Sequence, residues 1–469
     1  AGAWAFRNGG RIEMPWPAFR RGRLPFLFLA ALYGATWFAH EALRYAAFEF
    51  ANFDLGIYSN VAFNTAHGHP FHSSLLAHSH LGEHFSPITA AFAPLYALKP
   101  SALWLLGAQC LSFSTVPLVL PRVCRELIPE RARAYAVALA LSLVWGIYPP
   151  MAAAMRFPFH PSTLAAPWVL LSFYWVQRGE WRKAAPALIG LLLFKESLAL
   201  VWVGFGLHLL ATRRRREGLF LVAGGAVAAA IMLKLVIPAF REGDWGQAGR
   251  IGPLEDLDLK FWYVVRLLVP LLGLPLLGWR GGLVALPSIL LNLSTRYPPQ
   301  YSSRFQYDDI ISPLLLIGAI VGFERVWAWT RKGRAWWHVG FAALAVYVAA
   351  ILQLQDSPLR YVREHPPTAL HLALNKELAC VQRDYPGRWI YVQSHLGPQV
   401  HRHEVRQFPI NSRDCGLERY RPDTLIVLSE HVNPWGLRDV AECLAELDAR
   451  PARFVRQRQY VALRVYEVR

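Results

Sequence analysis

Apolar runs of about 17 to 22 residues recur along this chain, and arginines cluster at their ends. A run of that length crosses hydrocarbon as a helix, because its backbone amides and carbonyls are satisfied within the run itself. The chain is therefore expected to be a polytopic α-helical membrane protein. Its 49 Lys+Arg against 32 Asp+Glu give a formal charge of +17, which in a soluble protein would suggest nucleic acid. Here the basic groups at Arg122 to Arg133, Arg178 to Lys183 and Arg213 to Arg216 flank the apolar runs. They mark the cytoplasmic side, and no nucleic-acid partner is expected.

Counting runs from Leu24–His40 to Trp336–Leu354 predicts about 11 transmembrane helices, with the N-terminus cytoplasmic and the C-terminus on the outer, periplasmic side. Residues 1–23 form a basic cytoplasmic segment, residues 24–355 the transmembrane domain and residues 41–100 its first periplasmic loop. Within that loop, Phe85 to Leu98 is apolar, broken by Pro87 and Pro94, and too short to span, which suits an interfacial helix. A hairpin of Ala184–Phe194 and Leu198–Ala211 carries Lys195 and Glu196 at its tip. From Asp356 to Arg469 the pattern becomes that of a periplasmic α/β domain: helices at Thr368–Asp384 and Leu437–Leu447, strands at Trp389–Gln393 and Thr424–Leu428, and a hairpin over Phe454–Val468. Two of Cys380, Cys415 and Cys443 can pair there, leaving one free.

Function is expected in the polar stretch Phe50 to Pro87, which holds Asp54, Glu83 and the histidines His67, His69, His72, His78, His80 and His84. A carboxylate next to a membrane helix must be solvated, paired or bound to metal. Asp54 precedes Gly56, where the backbone can turn tightly. It serves either as a functional carboxylate or as the cap of a helix over Leu55–Thr65. Imidazoles beside carboxylates suit a divalent metal ion such as Zn²⁺ or Mn²⁺, with His80 and His84 on one helix face at i, i+4. The same rings can instead hydrogen-bond a phosphate. Lys195 and Glu196, set between apolar flanks, need a polar cavity or each other. By the predicted topology His160, Arg156, Arg296, Arg304 and Tyr307 open on the same side as Asp54; each alternatively snorkels at the interface.

The strings FDLGIYSNVAFNTAHGHPF, HLGEHFSPITAAFAPLYAL, FHPSTLAAP, FKESLAL and VQSHLGPQVHRHEVRQFP resemble the bacterial membrane-protein family named domain of unknown function 2079. The arrangement as a whole resembles the GT-C superfamily of membrane glycosyltransferases. That resemblance implies sugar transfer, with inversion, from a polyprenyl-phosphate carrier to an acceptor at the periplasmic face. It implies Asp54 as general base or ligand of a divalent ion (Mg²⁺, Mn²⁺ or Zn²⁺), with Glu83 standing for the second acid that GT-C enzymes often carry beside the first. Lys195, Glu196, His160 and Arg304 would then surround the lipid phosphate. The rival expectation is a non-catalytic subunit of the same fold within a membrane complex, with membrane proteins as partners. A transporter is disfavoured, since no Gly- or Pro-broken helices recur at matching positions of two halves.

Overall fold

In the computed structural model, residues 22–241, 248–252, 255–330, 366–408, 415, 417–432 and 440–469 are described. Helix α1 (Leu24–Ala46) leads to the polar stretch, where a kinked turn (Asn52–Gly56) runs into α2 (Ile57–Ala66). The helices that follow are α3 (Leu103–Leu127), α4 (Arg131–Ile147), α5 (Pro149–Arg156), α6 (Ala166–Arg178), α7 (Trp181–Leu192), α8 (Ala199–Ala211), α9 (Arg215–Ile231), α10 (Leu257–Leu268), α11 (Leu286–Leu293) and α12 (Ile311–Thr330).

Four segments among the described residues are long and apolar enough to cross a membrane: Leu24–Ala46, Leu103–Leu127, Arg215–Ala239 and Gln306–Trp329. A fifth is added if α4 and α5, bent by 45° at their junction, form one span. The protein is a helical membrane protein. The expected run Trp336–Leu354 lies outside the described residues. Several other expected runs are divided. Phe261–Leu277 becomes α10, a 3-10 turn at Val269–Leu271 and a short helix Leu274–Leu277, with Leu272 and Gly273 both at positive φ. Pro270 and Pro275 lack the amide that would continue the helix, so the chain breaks where they stand. The apolar segment before α3 likewise divides into a 3-10 turn (Pro87–Phe92) and a short helix (Ala93–Leu98).

The bundle core is dense and aromatic: α1 packs along α3, and Phe113 stacks on Trp145 at 5.1 Å with Trp37 edge-on at 5.9 Å. Helices α8 and α9 approach more closely than side chains allow, since a Cβ on Gly206 would lie 2.7 Å from the Gly218 carbonyl oxygen. Small residues at such a crossing let two backbones make the van der Waals contacts that hold helices together in lipid.

The C-terminal region holds α13 (Ala369–Asp384), capped by Thr368 through a reciprocal capping box with His371, and α14 (Val440–Asp448). Strands β3 (Ile390–Val392), β4 (Val405–Gln407), β5 (Leu425–Leu428), β6 (Phe454–Arg456) and β7 (Arg464–Val468) form a mixed sheet in the order β4-β3-β5-β7-β6. β3 runs parallel to β4 and β5, while β7 is antiparallel to β5 and β6. The fully buried β5, LIVL, is the continuous apolar run that a strand covered on both faces requires. Cys415 and Cys443 form a disulfide with Cα atoms 5.7 Å apart, and Cys380 is the free thiol among the three. Strands β1 (His72–Ser73) and β2 (His78–Ser79) pair in the polar stretch.

This region is docked on that stretch rather than tethered. Gln399 Nε2 donates to the Tyr45 carbonyl at 2.7 Å, Asn60 Nδ2 to the Arg402 carbonyl at 3.0 Å, and Phe48 is buried in the same core as Leu374, Leu396 and Val400.

Candidate functional site

A cavity of about 960 Å³ opens where the polar stretch, the α5–α6 turn, the α7–α8 tip and the α11–α12 segment meet. Seven of the eight sequence candidates line it: Asp54, Glu83, His80, His84, His160, Lys195 and Glu196. Arg304 does not; it lies in a separate groove of about 620 Å³. The α10–α11 region and the Tyr297–Gln306 segment place it outside the cavity, a position that spacing along the chain does not encode.

Asp54 sits at φ 65° and ψ −87°, between extended Phe53 and helical α2. A non-glycine residue in such a region costs about 1–3 kcal/mol and persists only where its surroundings enforce it. Its side chain makes no capping bond to α2; Oδ1 lies 3.0 Å from His160 Nε2. The cap reading of Asp54 is thereby replaced by a carboxylate–imidazole pair. His160 is buried and anchored: its amide donates to Gln109 of α3 at 3.3 Å, and its Nδ1 donates to the Pro158 carbonyl at 2.9 Å. Since a carbonyl only accepts, Nδ1 carries a proton. The pair is a carboxylate–imidazole dyad at the cavity wall.

Glu196 is committed elsewhere. Its Oε1 meets His84 Nδ1 at 2.9 Å and its Oε2 accepts from the Phe85 amide at 3.0 Å, which ties the α7–α8 tip to the polar stretch. Glu83 is braced between His78 at 3.1 Å and Arg241 at 3.5 Å. Both acids thus hold walls together. Lys195, by contrast, lines the cavity and forms no hydrogen bond or ion pair with any described residue. Its charge is felt by the carboxylates of Glu196 and Asp309 in the same lining, while its ammonium stays free of any hydrogen bond and can meet an anion.

His80 is buried, and burial pushes its pKa down to about 3, so it is neutral at physiological pH. Its Nδ1 lies 3.4 Å from Ser86 Oγ, and its ring centre is 6.3 Å from that of His84. The Nδ1 of His84 is taken up by Glu196. Among the described residues no group of three or more His, Cys, Asp or Glu side chains converges to hold a metal ion. The donors among the described residues do not fit a metal ion.

The cavity also contains groups that sequence reasoning passed over. Asp309, just before α12, is buried and accepts from Ser162 Oγ at 2.5 Å. Arg250 stacks over Tyr297 at 4.1 Å, and Arg44 bridges Glu41 and Glu49 at the end of α1. His395, on the 3-10 turn Ser394–Gln399 after β3, makes the C-terminal region part of the wall. The QYDD string signals Asp309, since two acids at the mouth of an apolar helix are costly without a cavity.

A family model described as a predicted membrane protein, DUF2079, matches residues 44–252 and 251–439. The chain belongs to the DUF2079 family. Both matched segments reach into the cavity, the first with Asp54, His160 and Lys195, the second with Asn292, Asp309 and His395. A crystal structure of ArnT from Cupriavidus metallidurans in the apo state shares the fold of this DUF2079 protein with a TM-score of 0.54. The similarity covers 94% of this chain and 97% of that one at 16% sequence identity. No curated protein matches the sequence.

Proposed function

We infer that this protein is a membrane glycosyltransferase that moves a sugar from a polyprenyl-phosphate carrier to an acceptor hydroxyl at the periplasmic face. The observation that carries this reading is the unpaired Lys195 in the same cavity as the Asp54–His160 dyad. The fold shared with ArnT and the GT-C resemblance of the sequence support it.

In this mechanism the acceptor oxygen attacks the anomeric carbon as the carbon–oxygen bond to the lipid phosphate breaks, and the electron pair leaves with the phosphate. Asp54, steadied by His160, takes the hydroxyl proton on the carboxylate oxygen turned away from the imidazole. Lys195 meets the charge that develops on the departing phosphate, with Arg250 in the same lining. The strained backbone at Asp54 fixes the base before substrate arrives, so no reorganisation is needed in the transition state. The topology that goes with this mechanism has about 11 spans, a cytoplasmic N-terminus and the cavity facing the periplasm.

The test is mass spectrometry of lipids extracted from protein purified out of native membrane. Polyprenyl phosphate retained by the wild type and lost from Lys195→Met supports the reading; retention indifferent to Lys195 overturns it. A non-catalytic subunit of a membrane complex is the second reading. It is favoured by Glu83 and Glu196 serving as structural ties, and it requires protein partners that co-purify in fixed ratio.

A further inference from the structure

Arg250 reaches the main cavity from a short stretch of backbone that is fastened to the segment after α11. The 3-10 turn Ala248–Arg250 ends there: the Arg250 carbonyl accepts from the Arg296 amide at 2.7 Å and from Thr295 Oγ1 at 3.1 Å, Ile251 bridges Thr295, and the Gly252 amide donates to the Ser294 carbonyl at 3.1 Å. The guanidinium, half-buried, lies over the Tyr297 ring at 4.1 Å, and Tyr297 meets Tyr307 edge-on with ring centres 6.3 Å apart. Arg250 makes no ion pair with a described carboxylate; its neighbour Arg296 is the one that takes Glu255, at 3.4 Å.

A second group in the same cavity also lacks a counterpart. Gln306 is only 7% exposed and lines the cavity, yet its side-chain oxygen accepts no hydrogen bond. A buried acceptor without a donor is costly, so a ligand hydroxyl that donates to it is favoured. A guanidinium resting on an aromatic ring keeps N–H groups open at its edge, and that planar fork matches a carboxylate through two parallel bonds. Tyr307 stands within electrostatic reach of both Arg250 and Asp54, which puts this corner beside the base. Lys195 keeps company instead with Glu196, Asp309 and His80. Two anionic groups can therefore be held at once, by different cations.

We propose that Arg250 and Gln306 form the acceptor subsite and that the acceptor is a carboxylated sugar, a uronate, with its carboxylate on the Arg250 fork and a ring hydroxyl on the Gln306 oxygen. The word acceptor rests on the glycosyltransferase reading. The lipid-retention test of that reading and the binding test of this one use different ligands and different residues, so each can fail alone.

The experiment titrates the full chain in detergent with methyl β-D-glucuronide and with methyl β-D-glucoside, which lacks only the carboxylate, and reads both affinities by saturation-transfer NMR. The wild type should bind the glucuronide roughly tenfold more tightly, the scale of one charge-assisted contact. Arg250→Gln should bring the two ligands close to parity. Arg250→Lys keeps the charge but loses the planar fork, and should lower the preference by roughly threefold; it carries the test if the Gln variant does not fold. Gln306→Leu should weaken both glycosides alike, by several-fold, and leave their ratio unchanged. The glucuronide should still bind when polyprenyl phosphate is present. A wild type without preference, or a preference that survives Arg250→Gln, overturns the subsite. Tighter binding of methyl glucoside 6-phosphate than of the glucuronide overturns the carboxylate assignment, and competition between the glucuronide and polyprenyl phosphate overturns the assignment to the acceptor.

Discussion

Asn52 and Gly397 meet with no room for a side chain between them: a Cβ at position 397 would overlap the Asn52 amide. The contact joins the turn that carries Asp54 to the 3-10 turn that carries His395, and the Asn52 amide nitrogen adds a bond to Ser394 Oγ at 3.3 Å. Two distant stretches of chain thereby set one wall of the cavity. Gly397→Ala should lower stability by about 1–3 kcal/mol, the usual cost of overpacking. The Asn52 side chain is buried with neither polar atom hydrogen-bonded, so Asn52→Ala should cost little on its own. Adding it should recover most of the Gly397→Ala loss, and a double-mutant cycle in thermal unfolding reads the coupling. Additive losses would mean that the two residues do not meet.

Asp54→Asn keeps the size and one accepting oxygen for His160 but removes the charge. If Asp54 takes the acceptor proton, transfer should fall by roughly two orders of magnitude while insertion and thermal stability stay near wild type. Transfer of labelled sugar by reconstituted protein reads the first, and unfolding in detergent the second. Unimpaired transfer would end the general-base role and leave a structural dyad.

Lys195 and Glu196 are neighbours with opposite expected behaviour. Lys195 makes no hydrogen bond to a described residue, so Lys195→Met should leave stability unchanged or raise it while weakening retention of a lipid phosphate. Glu196→Gln weakens the bond to His84 and the acceptance from the Phe85 amide, and should cost about 1–3 kcal/mol. Thermal unfolding of the two variants side by side checks the contrast. Equal destabilisation would show that Lys195 is a structural partner as well.

How much of this was legible depended on how local the cause was. The strand β5 and helices α13 and α14 were readable because periodicity and β-branched runs are local signals, and each falls within a few residues of where the pattern places it. The Lys195–Glu196 tip was readable for the same reason: two charges between apolar flanks mark a turn. The breaks at Pro270 and Gly273 were hidden inside a run whose hydropathy alone reads as one span. The left-handed backbone at Asp54 has no local signature at all. Ser394 and Gly397 pack from across the fold against Asn52 of the same turn, and the partner of Asp54, His160, arrives from a different turn of the chain. Arg304 was misplaced because topology gives the side of the membrane, not which of two adjacent cavities a side chain enters.

The last expectation concerns pH. Burial holds His401 and His395 down to about 4 and His80 down to about 3, against an ordinary 6.5. In the folded protein these rings are neutral at pH 6, whereas in the unfolded chain they take up protons below about 6.5. Their contribution to stability is therefore complete above about 6.5 and is lost progressively as pH falls toward 4. His401 sits where the C-terminal region meets the polar stretch, with its ring 3.4 Å from the Tyr45 hydroxyl, 3.5 Å from Ser59 Oγ and edge-on to Tyr96. Acidification should loosen this junction before the helical bundle unfolds. Hydrogen exchange at pH 7 and pH 5 is the measurement: amides of Asn60 and of residues 394–402 should lose protection at pH 5, while those in the middle of α3 keep theirs. His401→Gln removes one of the titrating rings and should narrow the difference between the two pH values. Equal protection of the junction at both would mean that water reaches these rings in the folded state and that burial does not hold them neutral.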